Sequence, residues 1–180
     1  MPAANAPAGH TPEGGVLVGG PEAAHRMVLY EDPQCPYCRM FEEGAGDLLS
    51  RAVQTGSLAV EYRMRCFLGP ESVRADNALA GAAEQGGFDR LRRYLFAHQP
   101  PEQSGGYTEA DLLDAGAAVG LGDGGYAEVV RSGRYVDWVL ERERTFQAED
   151  PEGTPAAVVD GARVSSAVLF EPSRLVRLLG

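Results

Sequence analysis

The sequence predicts an α/β fold with an inserted helical domain, and three observations carry the prediction. First, the apolar run Met27, Val28, Leu29, Tyr30 ends at the turn signal Asp32-Pro33, as a buried strand does. Second, a helical pattern over residues 36–56 is followed by the alternation of Leu58–Met64, which completes a βαβ unit. Third, strand patterns return only after a long helical stretch, residues 71–149, so one sheet is formed from the first and last parts of the chain.

Residues 1–15 are mostly Pro, Ala and Gly and are expected to form a flexible N-terminal arm, with order beginning at Val16. Val16–Val18 is expected as a short edge strand. Residues 16–70 then make the first part of the α/β domain. In it Pro36 suits the first position of a helix, where its missing N–H is no loss. Met40, Phe41, Ala45, Leu48, Leu49 and Val53 fall on one face up to the stop at Gly56. The insertion, 71–149, is punctuated at Gly86 and Gly87, at residues 99–106, at residues 120–125 and near Gly133. Thr108 with Asp111 predicts a capping box at the start of one helix, and Trp138 with Tyr135 and Val139 reads as helix core. Residues 150–180 make the second part: a strand at Ala156–Val159, a turn at Asp160-Gly161, a strand over 163–168 and a helix over 172–179.

Composition narrows the chemistry. The 180 residues suffice for a sizeable core, and the apolar and charged shares, 44% and 23%, are ordinary for a globular protein. The formal charge of −10 disfavours nucleic acid or an anionic membrane as partner. All 16 basic residues are Arg, which excludes Schiff-base chemistry and lysine-dependent phosphate loops. No apolar run is long enough to span a membrane, and the first 20 residues lack the pattern of a signal peptide. The chain as it begins is therefore expected in the cytoplasm, or exported or membrane-anchored if a preceding segment has been removed.

Chemistry concentrates in Cys35-Pro36-Tyr37-Cys38. A C-x-x-C pair at a strand-to-helix junction puts the first sulfur at the helix N-terminus and the second one turn in. Free N–H groups and the helix dipole there lower the first thiol from about 8.5 into a range of roughly 3.5–7.5. Cys35 is then the nucleophile and Cys38 the deeper, resolving thiol. Half a zinc site, an iron–sulfur site shared between two chains and an inert bridge are the competing readings. Against zinc, the other donors, Cys66, His10, His25 and His98, lack ligand spacing, so no metal and no organic cofactor is expected.

With Gly153-Thr154-Pro155 following the insertion, the sequence resembles the DsbA-like thioredoxin-fold disulfide oxidoreductases. The likeness runs from about Met27 to the C-terminus, through the phrases Cys35 to Phe41, Leu95-Phe96-Ala97-His98-Gln99 and Ser132-Gly133-Arg134-Tyr135. It implies a thioredoxin fold with an inserted helical domain and exchange of disulfides with protein cysteines and a redox partner. It also implies that Pro155 is a cis proline facing the pair, and that Thr154, beside Pro36 and Tyr37, meets an extended substrate. Many relatives carry an acid six residues before the first cysteine, where it relays a proton to the resolving thiol; this chain has Leu29 there. Glu31 and Asp32 stand nearby, each a candidate proton relay or a loop-shaping acid. Cys66 reads as a buried apolar thiol, with a regulatory role as the sharper alternative. Two other functions remain open: an enzyme acting on small thiol conjugates, and a non-catalytic adaptor or metal-cluster module.

Overall fold

The computed structural model describes residues 9–122, 125–149 and 153–179. The elements run β1 (Val16–Val18), β2 (His25–Glu31), α1 (Pro36–Gln54), β3 (Leu58–Met64), α2 (Pro70–Glu84), α3 (Phe88–Ala97), α4 (Glu109–Ala118), α5 (Gly125–Ser132), α6 (Val136–Glu149), β4 (Ala156–Val159), β5 (Ala162–Val164), α7 (Ser166–Leu169) and α8 (Pro172–Leu178). The sheet order is β1-β3-β2-β4-β5. β2 lies parallel to β3, as a βαβ unit requires, and antiparallel to β4.

β2 is central, and its alternation decides what lies under the cysteine pair. Met27 and Leu29 are fully buried in the main core with Phe41 and Leu49 of α1. With a period of two, Glu31 falls on the same face as Leu29. Tyr30 faces the other way, its ring edge-on to Phe146 of α6 at 6.1 Å. On α1 the buried residues Cys38, Phe41, Ala45 and Leu49 recur at helical spacing, so the packing that anchors the helix also fixes the second cysteine. Truncating Phe41 to Ala costs about 3–5 kcal/mol.

Two sequence expectations change. Order does not wait for Val16: His10 bridges to Val16 and packs edge-on to Trp138 at 4.6 Å, and the Thr11 hydroxyl donates to Glu61. Residues 9–15 are held by tertiary contacts that their composition does not announce; the rest of the expected arm, residues 1–8, lies outside the described residues. Strand β5 stops at Val164 rather than 168. The run that follows turns helical as α7, with Ser165 in extended conformation at its start and Leu169 driven into the core. A short apolar run is ambiguous between the two periodicities, and burial of Leu169 decides it. The Thr108–Asp111 capping box is present with both of its bonds, and Trp138, Tyr135 and Val139 form a buried cluster with Cys66. Residues 123, 124 and 150–152, within the expected break at 120–125 and at the 149/150 boundary, lie outside the described residues.

Candidate active site

Cys35 is the N-cap of α1 in extended conformation and Pro36 is the first helical residue, so the chain turns sharply from β2 into the helix with both sulfurs on the first turn. Both thiols are unbonded and shielded; Cys38 is wholly buried and Cys35 nearly so. They pack with Phe96 of α3 and Leu68. Opposite them the Thr154–Pro155 peptide bond is cis. It brings the Thr154 carbonyl to 3.3 Å from Cys35 Sγ, where the neutral thiol donates to it.

The environment splits the two thiols. The Cys35 thiol is lowered to about 6, first by a hydrogen bond from Cys38, against the cost of burial, then by the Thr154 side chain and the backbone N–H groups of Cys38 and Tyr37. The helix N–H groups expected to dominate thus rank behind the partner thiol. The Thr154 hydroxyl is itself buried, with no hydrogen-bond partner. A hydroxyl can donate to the thiolate, whereas a carbonyl can only accept from the thiol form. Cys38 is pushed well above the ordinary thiol range by burial, then by its bond to Cys35 and by the charge of Glu31. The two thiols are thus driven apart, the first proton leaving more readily from Cys35 than from Cys38.

The two candidate acids differ in setting. Glu31 is fully buried, and Arg92 of α3 holds both its oxygens at 2.6 and 3.0 Å while donating to Glu42 of α1 at 2.6 Å. Burial raises the Glu31 carboxyl against the pull of Arg92. Glu31 stands two residues after Leu29 on the same face of the strand. Asp32 accepts from the backbone N–H of Gln34 at 2.9 Å, from the Ser72 hydroxyl at 2.5 Å and from the Leu68 N–H at 3.2 Å. It shapes the loop, and burial carries it up to about 6.

A family model described as thioredoxin matches residues 11–175. The chain belongs to the thioredoxin family. Among solved structures, the reduced disulfide bond oxidoreductase DsbG of Mycobacterium tuberculosis is similar at a TM-score of 0.80 and 26% identity, over 92% of this chain and 85% of that one. MdbA, a thiol-disulfide oxidoreductase of Actinomyces oris, shares the fold at a TM-score of 0.84 and 20% identity, over 97% of this chain and 88% of that one. The Na(+)/H(+) antiporter NhaA 1 of Mycobacterium sp. (strain KMS) is 30% identical over 174 residues, which is 93% of this chain and 27% of that protein. The chain thus spans about a quarter of the length of the curated relatives it matches. The architecture is a thioredoxin fold with a helical insertion.

In this thioredoxin-family chain a cleft of about 670 Å³ opens beside the pair, lined by Tyr37, Thr154, Pro155, Val164, Leu169 and Phe170 among others. Tyr37 is 62% exposed and Met40 52%, an apolar rim. Pro36 does not line the cleft; its place is the helix start. Among the described residues no helix is long and apolar enough to cross a membrane, and no three His, Cys, Asp or Glu side chains are grouped to hold a metal ion. Cys66 is buried, and burial, with Asp76 and Glu143 beside it, pushes its thiol up.

Sequence reasoning missed the polar shell: Arg92, Glu42, Gln34, Ser72, Gln99 and Tyr107. The one local signal was Gln34, a polar residue wedged between Pro33 and Cys35. It is buried, donates to Ser72 at 2.9 Å and accepts from the Gln103 N–H at 2.8 Å.

Proposed function

We propose that the protein is a thiol-disulfide oxidoreductase that exchanges disulfides with protein cysteines through Cys35 and Cys38. The observation that carries the reading is the division of labour between the two sulfurs: Cys35 lowered to about 6 at the helix start, Cys38 held protonated in the core. A thiol near 6 is mostly thiolate at neutral pH and remains a good nucleophile.

In the reducing direction the Cys35 thiolate attacks one sulfur of a substrate disulfide. The substrate S–S bond breaks, its leaving sulfur takes a proton, and a mixed disulfide joins Cys35 to the substrate. Cys38 then gives up its proton and attacks Cys35 Sγ, the mixed disulfide breaks and the second substrate thiol departs. The substrate gains the two electrons that the pair loses. The oxidising direction is the same sequence reversed. Glu31, whose charge reaches Cys38, is the group placed to take the Cys38 proton; Asp32, tied to three donors, shapes the loop.

The substrate chain lies in the cleft beside Pro155, with its cysteine at Cys35 and an apolar neighbour against Tyr37 or Phe170. Thr154 offers backbone pairing to an extended peptide. A pure adaptor has no need of a lowered thiol, and an enzyme of small thiol conjugates has no need of a resolving one.

The test is trapping. Cys38→Ser should accumulate a mixed disulfide between Cys35 and a reduced-and-reoxidised model protein, and Cys35→Ser should abolish both trapping and disulfide reduction. Full activity in Cys35→Ser contradicts the proposal.

A further inference from the structure

The loop between α3 and α4, residues 98–108, is part of the helical lobe, yet it grips the segment that leads into the first cysteine. Gln99 Nε2 donates to two backbone carbonyls at once, Pro33 O at 2.8 Å and Cys35 O at 3.0 Å. The Tyr107 hydroxyl donates to the same Pro33 oxygen at 2.9 Å. The Gln103 N–H holds the Gln34 side chain. Three side chains or amides from one loop thus bind three consecutive residues, 33 to 35.

The loop is rigid. Gln103 and Tyr107 sit in the left-handed region, at φ 55° and 51°, where residues with a Cβ are strained. Such conformations persist only where the surroundings over-determine them. Here they do: Arg74 of α2 donates to the carbonyls of Tyr107 and Gly106 at 2.9 and 3.0 Å, and Glu71 accepts from the Gly105 N–H at 3.2 Å. Both strained residues, like Gln99, have groups that reach the active-site segment, and the bonds to α2 hold the loop in the conformation that makes this grip.

We propose that Gln99 is a positioning residue that sets the balance between dithiol and disulfide from the helical lobe. The inference rests on Cys35/Cys38 being the redox couple. The Cys35 carbonyl already accepts from the N–H groups of Cys38 and Arg39, at 3.1 and 3.2 Å, which start the helix. Gln99 adds a third donor and so fixes the peptide plane from which α1 and both sulfurs hang. It also offsets the negative ends of two carbonyl dipoles beside a sulfur that carries charge only in the dithiol state. Removing the amide therefore disfavours the thiolate more than the disulfide. The couple shifts toward the disulfide and becomes less oxidising.

Gln99→Met keeps the length and apolar body of the side chain and removes both donors. Wild-type and variant chains are equilibrated against a series of reduced-to-oxidised glutathione ratios, and the Cys35–Cys38 disulfide fraction is read by mass after quenching. Gln99→Met is expected to shift the equilibrium constant by about tenfold toward the disulfide, from the loss of two ordinary hydrogen bonds, and to raise the midpoint of Cys35 alkylation against pH. Tyr107→Phe is expected to shift both the same way by less, and His98→Ala, a neighbouring exposed change, neither. A folded Gln99→Met with the wild-type equilibrium constant and midpoint overturns the proposal, whatever its melting temperature. Should Gln99→Met not fold, a wild-type equilibrium in Tyr107→Phe overturns it. A wild-type chain that forms no disulfide at any ratio removes the redox reading itself, and this inference with it.

Discussion

The Arg92 guanidinium holds both oxygens of Glu31, at 2.6 and 3.0 Å, in a site closed to solvent beneath the resolving thiol. The same guanidinium lies 4.3 Å from the Tyr62 ring centre and 5.3 Å from that of Phe96, the ring that packs on the cysteine pair. One cation thus joins the central strand, two helices and the active site.

Removing that cation leaves a buried carboxyl facing Glu42 and Asp89, so Arg92→Met should cost about 3–5 kcal/mol at pH 8. The sign with pH follows from Glu31. Arg92 counters the rise that burial imposes on it, so in the variant the folded value climbs further and more stability is lost as pH rises through the range between the unfolded and folded values. The deficit should therefore be smaller at pH 5 than at pH 8 in urea melts. An equal deficit at both pH values contradicts the account of the pair.

If Glu31 takes the proton from Cys38, Glu31→Gln should slow the second step and spare the first. In a rapid-quench experiment the mixed disulfide should form at the wild-type rate and resolve more slowly by about 100-fold or more, with a weaker dependence on pH. Slowing of both steps alike would assign Glu31 a structural role only.

Asp32 sits at about 6 because burial outweighs its three donors, and the Cys35 charge adds to the rise. Its contribution to stability is present below about pH 4 and is lost as pH climbs to about 6. Asp32→Asn should abolish that decline. It should also lower the midpoint of Cys35 alkylation, because a like charge has gone, while costing about 1–2 kcal/mol for the unmade Leu68 bond. An unchanged midpoint would show that the two charges do not interact.

Thr154→Val keeps the shape of the side chain and removes a buried hydroxyl that has no hydrogen-bond partner. The alkylation midpoint should rise by about one to two units, the worth of one hydrogen bond to a charged group. A rise no larger than the scatter between replicates would leave the carbonyl contact as the only role of Thr154.

What the sequence made legible was local. The run into Asp32-Pro33, the helix-starting Pro36 and the alternation of Leu58–Met64 each encode their element within a few residues, and together they place Cys35 at a helix start. The Thr108 capping box is local in the same way. What stayed hidden depends on distant pairing. Arg92 lies 61 residues from Glu31, and nothing in the spacing of either predicts the other. Leu29 stands where many relatives carry an acid, and its distance from Cys35 alone says nothing of Glu31. The strand's period of two puts Glu31 on the same face, but its burial and its pairing with Arg92 show only in the fold. Residues 9–15 and α7 were misread for a related reason: burial against Trp138 and of Leu169 overrides weak local signals.

Alkylation of the fully reduced chain, followed by mass at each cysteine from pH 4 to pH 10, bears most directly on the central claim. Cys35 should react with a midpoint near 6, while Cys38 and Cys66 stay unmodified through neutral pH. A Cys35 midpoint at the ordinary thiol value, or Cys66 reacting first, would contradict the account.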